Sequence, residues 1–406
     1  LSILRTAGSA PGIRRTDDEV VVVGAGPAGA LTAYLLARQG RRVMVLEAAA
    51  EVERKVCGEY LCPRGVELLE ELGLRGLAAG RELVGMRVVS PDGRVLTPSF
   101  PSRSGRASRG LALNRQHFER GLLELASAGG ATVRMGRRVR ALERTARGFE
   151  LRVDHAAGAE AYRASLVVGA DGRRSAVART LGLRLPVPCD RVALHGHFHH
   201  SERNSHRGEM HLLADGAYIG VDPTGQHEVN MSLVLSARRL RALGGTREAL
   251  QHHLSAARDY HARYGPFPQA ARLRAVSPVA HRVAACAVPG AVLVGDAAGF
   301  VDPLTGEGIY YALWGAYALA QSLAGVRLSD PSAVKAALRR YADARSAVVE
   351  PKWRLHRGFR WLLERPKLVE HAGRFLARRP RRADALLGVI GNVYRPVEGL
   401  LRTFAA

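Results

Sequence analysis

The first apolar run, Val20-Val21-Val22-Val23, stops at a glycine turn, Gly24-Ala25-Gly26-Pro27-Ala28-Gly29. An Ala/Leu-rich segment with helical character then reaches Gly40. A second apolar run, Val43-Met44-Val45-Leu46, ends at the acid Glu47. Strand, turn, helix and strand in that order predict a βαβ unit. Farther on, Val84 to Val89 and Arg94 to Thr97 flank Ser90-Pro91-Asp92-Gly93, which predicts a hairpin. Asn114 is placed to cap an amphipathic helix running to about Ala128. Short strands are predicted at Thr132 to Arg134, Arg138 to Leu142, Phe149 to Val153 and Tyr162 to Ala164. A buried strand, Leu166 to Gly169, then ends at Ala170-Asp171-Gly172 and leads into a helix from Ser175 to Leu181.

From Pro186 to Arg274 the pattern changes to alternation. Val192 to Phe198, Gly208 to Leu213, Ala217 to Val221 and Val229 to Leu235 predict an antiparallel sheet, with a helical pair from Arg247 to Tyr264. Val292-Leu293-Val294 is again a buried strand. It ends at Gly295-Asp296, and a loop carrying Pro303, Gly306 and Gly308 delivers a helix from Ile309 to Leu323. Beyond Ser329 helices are predicted at Ser332 to Glu350, Trp353 to Glu364, Val369 to Leu376 and Arg381 to Ile390.

The glycine turn has a specific chemistry. Gly24 permits the tight turn, Gly26 lets backbone approach a pyrophosphate, and Gly29 lets the helix pack on the strand. Pro27 suits a first helical turn, and the N–H groups around Ala28 attract an anion. Glu47, about 20 residues on, is where a carboxylate binds ribose hydroxyls, with Ala48 beside it. A dinucleotide site is expected. Arg115 opens its helix against the dipole preference, which suits a cation beside a phosphate or simply a solvated one. Cys57 follows Lys55 closely. A thiol near positive charge can be acidified and exchange protons, or can be an inert turn residue.

Composition narrows this picture. A chain of 406 residues suffices for two or three domains. The net charge of +23 leaves nucleic acid and anionic surfaces to weigh. The basic residues are scattered and match no nucleic-acid motif, so no nucleic-acid partner is expected. Arg378 to Arg382 could touch a membrane surface or an acidic carrier, though such helices more often cap a core. No window is apolar enough to span a bilayer. The four cysteines form neither a disulfide framework nor a zinc pattern, so a reducing, cytoplasmic setting is the default. Leu1 to Glu19 lacks an apolar signal core and reads as a lead-in. His195, His197 and His199 share one strand face, with His200, His206 and His211 nearby. No set of companion ligands completes a metal site, and no metal is expected.

Taken together, the three glycine stretches resemble those of FAD-dependent oxidoreductases of the aromatic-hydroxylase and geranylgeranyl-reductase superfamily. The resemblance covers about Glu19 to Gly325. Gly24 to Gly29 with Glu47 resembles the ADP-binding fingerprint. Gly169-Ala170-Asp171-Gly172 resembles the Asp-Gly motif associated with FAD and NAD(P)H. Gly295-Asp296 with Pro303 and Gly306-Glu307-Gly308-Ile309 resembles the Gly-Asp motif, in which Asp296 would bind a ribityl oxygen and the loop would lie against the flavin. Arg115 falls where the family often has an FAD-contacting basic residue. Lys55-Val56-Cys57-Gly58-Glu59 resembles the cysteine loop of geranylgeranyl reductases, although Cys62 stands where serine is expected.

The resemblance implies an α/β fold: a discontinuous Rossmann-type FAD-binding domain (1–83, 104–185 and 276–328), an inserted antiparallel substrate domain (84–103 and 186–275) and C-terminal helices (329–406). It implies FAD, with NAD(P)H as electron donor, and a small apolar substrate, free or attached to a carrier or lipid. Two reactions are expected. The first is monooxygenation, hydroxylation or epoxidation, with Pro303, Gly306 and Gly308 stabilising negative charge on the flavin. The alternative is reduction of a carbon–carbon double bond, with Cys57 as proton donor.

Overall fold

The structure is a computed structural model that describes residues 15–103, 105–187, 189–199, 205–225, 227–265, 272–300 and 302–405. His200 and the first part of the N-terminal lead-in lie outside the described residues.

An eight-stranded sheet carries the predicted βαβ unit. Its first strand, Arg15–Val23, pairs in parallel with Val43–Leu46 on one side and with Gly158–Gly169 on the other. Thr132–Arg134 and Ala291–Leu293 extend the sheet, also in parallel. Five strands therefore end together, at Val23, Leu46, Arg134, Gly169 and Leu293. Ligands bind at such carboxyl ends in open α/β sheets. Val20 to Val22 have no solvent exposure, as expected for a strand covered on both faces. The helices Pro27–Arg38, Arg115–Ala128 and Gly308–Leu323 cover one face. Asn114 accepts a hydrogen bond from the His117 N–H at 3.0 Å, the predicted cap.

Gly158–Gly169 is one strand where the sequence suggested two runs. Its first half pairs with the hairpin strand Gly148–His155, which Arg138–Thr145 borders on its other side. Its second half is buried on both faces.

A second sheet has seven strands. Arg191–His199, Glu228–Ser236, Tyr218–Pro223 and Arg207–Leu212 are antiparallel neighbours, as the alternation predicts. The hairpin Gly85–Val89 and Val95–Leu96 joins the same sheet, through a parallel pairing with Arg207–Leu212. The sheet is thus mixed rather than purely antiparallel. A small third sheet pairs Gly110–Leu113 with Tyr60–Leu61 and Gly80–Leu83.

The C-terminal part departs from expectation in one place. Pro331–Leu363 is a single helix with Pro351 inside it, where the proline suggested a break. Val349, Lys352 and His356 are all buried around that proline. Packing on both sides outweighs the local rule. Pro366–Ala377, Pro380–Ile390 and Pro396–Ala405 follow, the last unforeseen.

Candidate active site

One cavity of about 1130 Å³ opens at the carboxyl ends of the parallel strands and reaches the second sheet and the C-terminal helices. A drug-sized ligand occupies roughly 300–1,000 Å³, so this space suits a cofactor and a second molecule together.

The glycine turn forms one end. Gly24 has φ +100°, and a Cβ there would lie 2.6 Å from the Ala170 carbonyl oxygen. A Cβ on Gly29 would lie 1.9 Å from the Gly24 carbonyl oxygen, so Gly29 is a packing glycine. Gly26 differs: its φ is −68°, and a Cβ would meet only the Lys55 ammonium, at 4.0 Å. It borders open cavity together with Pro27 and Ala28. Glu47 is pinned at the end of its strand by the N–H groups of Ala25 (2.7 Å) and Ala49 (3.0 Å), and it lines the cavity with Ala48.

Asp171 caps the short helix Ala176–Thr180, its Oδ2 accepting from the Ala176 and Val177 N–H groups at 2.6 and 3.2 Å. Its Oδ1 is buried without a partner and belongs to the cavity wall, as do Gly172 and Asp296. Burial pushes both carboxyls up, only partly offset for Asp296 by Arg173 and Arg115. Lys55, Arg115 and Arg173 line the same space. An open glycine, three cations and an orphaned acceptor suit a pyrophosphate bearing hydroxylated arms, so these residues fit FAD.

The Cys57 loop is held from two sides. Asn230 donates to the Cys57 carbonyl at 2.7 Å, and the Cys57 sulfur accepts the Glu59 N–H at 3.3 Å. Glu59 is fully buried at φ +56° and pairs with His197 at 2.7 Å. Burial pushes the Cys57 thiol up more than Arg115 pulls it down. The acidified thiol considered from sequence is therefore replaced by a protonated one. Arg115 itself is engaged by Glu119 at 2.5 Å, and Glu119 also takes Lys55 at 2.9 Å. Burial raises the Glu119 carboxyl, but Arg115 and Lys55 outweigh it and hold it down. Cys62, at the start of the next helix, is fully buried and pushed up to about 12 by burial and then by Glu307, an inert thiol.

Pro303, Gly306, Gly308 and Ile309 line the cavity. Gly306 takes φ +66°, with the Tyr60 ring 2.5 Å from where a Cβ would sit. Two residues of the predicted set point elsewhere. Gly295 packs against Ala28, and its Cβ would be 2.8 Å from that methyl. Glu307 is buried in a network with Lys352 (2.7 Å), His356 (3.1 Å) and Tyr311 (3.1 Å). It fastens the loop to the long C-terminal helix and is absent from the cavity wall.

The second sheet supplies Met86, Val88, Met210, Leu212 and Val234 to the far wall. The C-terminal helices add Leu363, Leu376, Leu387 and Ile390, which motif reading did not assign to the site. Their signal was the amphipathic pattern alone, which does not say what a helix face covers. His195 and His197 do share a face, ring centroids 4.6 Å apart. Their partners are Ser232 (3.2 Å) and Glu59. Burial, then the nearby His197 and cations, push His195 down to about 3, a neutral ring.

Comparison with known proteins agrees with this construction. The chain is 34% identical over 309 residues to the menaquinone reductase of Mycobacterium tuberculosis, 73% of this chain and 74% of that one. It is 31% identical over 314 residues to the digeranylgeranylglycerophospholipid reductase of Methanoculleus marisnigri, again 73% and 74%. Among solved structures, PqsL of Pseudomonas aeruginosa, a probable FAD-dependent monooxygenase, superposes with a TM-score of 0.71 at 25% identity, covering 88% of this chain and 99% of that one. A flavoprotein/dehydrogenase from Cytophaga hutchinsonii shares the fold, with a TM-score of 0.78 at 19% identity and 96% coverage of both. The family model described as an FAD binding domain matches residues 17–354. The chain therefore belongs to the FAD-binding domain family of flavoproteins and is an FAD-dependent oxidoreductase.

Proposed function

We propose that this oxidoreductase reduces a carbon–carbon double bond in a substrate with a long apolar chain, using electrons from NAD(P)H. The observation that carries the reading is the cavity wall. Leu363, Leu376, Leu387 and Ile390 give the cavity an apolar wall drawn from the C-terminal helices. Burying each methylene there is worth roughly 0.8 kcal/mol, so chain length selects the substrate. Bound FAD supplies the two-electron chemistry. The chain's own part is to hold the substrate dry, to keep Cys57 protonated, and to present the helix start at Gly308 and Ile309 to developing negative charge. Protonated groups at the cavity suit a reaction that ends by protonating carbon. The two relatives above, both reductases by name, favour the same reading.

Monooxygenation is the second reading, and the likeness to PqsL favours it. It uses the same cavity, but needs O2 where the first does not. No described helix is long and apolar enough to cross a membrane. The substrate would reach the site free, on a carrier or from a membrane surface.

Substrate class is tested by narrowing the tail end. Ala372 is half-buried on the cavity wall. Ala372→Trp is expected to weaken a long-chain isoprenoid quinone by about tenfold, through loss of about two buried methylenes, and to spare a short-chain one. Equal effects on both, measured as Kd with the FAD-loaded protein, would remove the chain from this end of the cavity. Cys57→Ser is expected to keep FAD bound and lower kcat. An unchanged kcat would take the thiol out of the proton path.

A further inference from the structure

Two buried polar groups that belong to residues of the cavity wall have no hydrogen-bond partner. The Tyr60 hydroxyl and Asp222 Oδ1 are both buried atoms without a hydrogen bond. Tyr60 is 7% exposed and Asp222 8%, and both residues line the cavity. Three elements place them. Tyr60 lies in the small sheet, paired with Ala112, its ring against Gly306 of the loop. Asp222 lies in the second sheet opposite Asn230, the residue that holds the Cys57 loop. An unpaired buried polar group costs about 1–3 kcal/mol, so two in one wall call for a ligand.

The charges around them say which ligand. Burial, then the neighbouring carboxylates Glu59 and Glu209, push Asp222 up to about 8. Tyr60 is raised well above its ordinary value by burial first, with Asp222 among the further causes. Near neutral pH both carry their protons and both are donors. Glu59 and Glu209 do not compete, since His197 and Tyr264 already occupy them at 2.7 and 2.8 Å. Both residues line one cavity, and Asp222 acts electrostatically on Tyr60; a neutral carboxylic acid and a tyrosine hydroxyl acting together are a known way to bind an oxygen that bears negative charge.

We propose that Tyr60 and Asp222 form a subsite for the oxygen of a polar head, a phenol hydroxyl or a conjugated carbonyl, whose apolar chain runs toward the C-terminal helices. The subsite rests on the apolar-chain reading above and adds to it. The substrate is an amphiphile with an oxygenated, unsaturated head, and not a bare hydrocarbon chain.

The test uses the FAD-loaded protein and equilibrium dialysis of para-octylphenol against octylbenzene, which lacks only the oxygen. Two neutral hydrogen bonds predict a preference of about tenfold for the phenol. Tyr60→Phe with Asp222→Ala is expected to abolish that preference while octylbenzene binds as before. Retained flavin and an unchanged Tm report that the variant is folded. Octylbenzoquinone, run in parallel, tells a carbonyl from a hydroxyl, and a variant-sensitive preference for either supports the subsite. Equal binding of phenol and hydrocarbon by the unmodified protein overturns it, as does a preference that survives in the variant. Should the variant unfold, Tyr60→Phe alone must reduce the preference, and an unaltered preference there overturns the subsite. Binding of neither hydrocarbon nor phenol overturns the apolar-chain reading itself, and the subsite with it.

Discussion

Lys352→Met is expected to destabilise the protein by about 3–5 kcal/mol, the usual cost of breaking a buried ion pair from one side. Lys352 is 2% exposed and Glu307 3%, and their charged atoms are 2.7 Å apart. The substitution leaves the Glu307 carboxylate without its main counter-charge, and the Val389 carbonyl loses one of its donors, keeping the Asn392 N–H. Glu307→Gln in the same protein should recover much of the loss, because no buried carboxylate is then left without its lysine. The sign with pH follows. Burial raises the Glu307 carboxyl, but Lys352 and His356 outweigh it and hold it at about 2, against 4.5 ordinarily. The stabilisation is therefore present above about pH 4.5 and is lost as pH falls toward 2. Thermal melts across that range should show the deficit of Lys352→Met shrinking as the medium becomes acid. A deficit that persists undiminished at pH 2 would separate it from the Glu307 charge.

Gly26→Val is expected to leave the fold intact and remove the flavin. Each of the three motif glycines is needed for a different reason. Gly24 has positive φ, and Gly29 lies against backbone, so a side chain at either disturbs the protein. Gly26 has φ −68°, and its Cβ position is open except toward Lys55. A valine would project into the cavity where the backbone must approach a phosphate. Losing one or two charge-assisted hydrogen bonds, at about 1.5–3 kcal/mol each, weakens FAD by about tenfold at the least and by more than 1,000-fold at the most. The measurement is flavin content after purification together with the Tm of flavin-free protein. Full flavin occupancy in Gly26→Val would show that the pyrophosphate does not lie there.

These contrasts show what the sequence could convey. The glycine turn, Asp171 and Asp296 were legible because backbone and charge requirements fix residue type at fixed spacing. The βαβ order and the alternating sheet were legible because burial imposes periodicity. Glu307 shows the limit: the same motif that marked it leaves unsaid that its carboxylate turns away, toward Lys352, 45 residues on along the chain. Tyr60 and Asp222 were illegible for a related reason. Their role depends on lacking partners, and a missing partner leaves no trace in sequence. The apolar wall from the C-terminal helices escaped notice because an amphipathic helix over a ligand reads like one over a core.

The central claim is that the site reduces a double bond of an apolar-chain substrate. Its most direct test is the mass of the product from one anaerobic turnover of dithionite-reduced, FAD-loaded protein with a long-chain isoprenyl phenol, whose head, unlike a quinone, does not itself take up two hydrogens. A product heavier by two hydrogens, formed without O2, is expected. Product that appears only after air is admitted, and carries one added oxygen atom, would contradict it and establish the monooxygenase reading in its place.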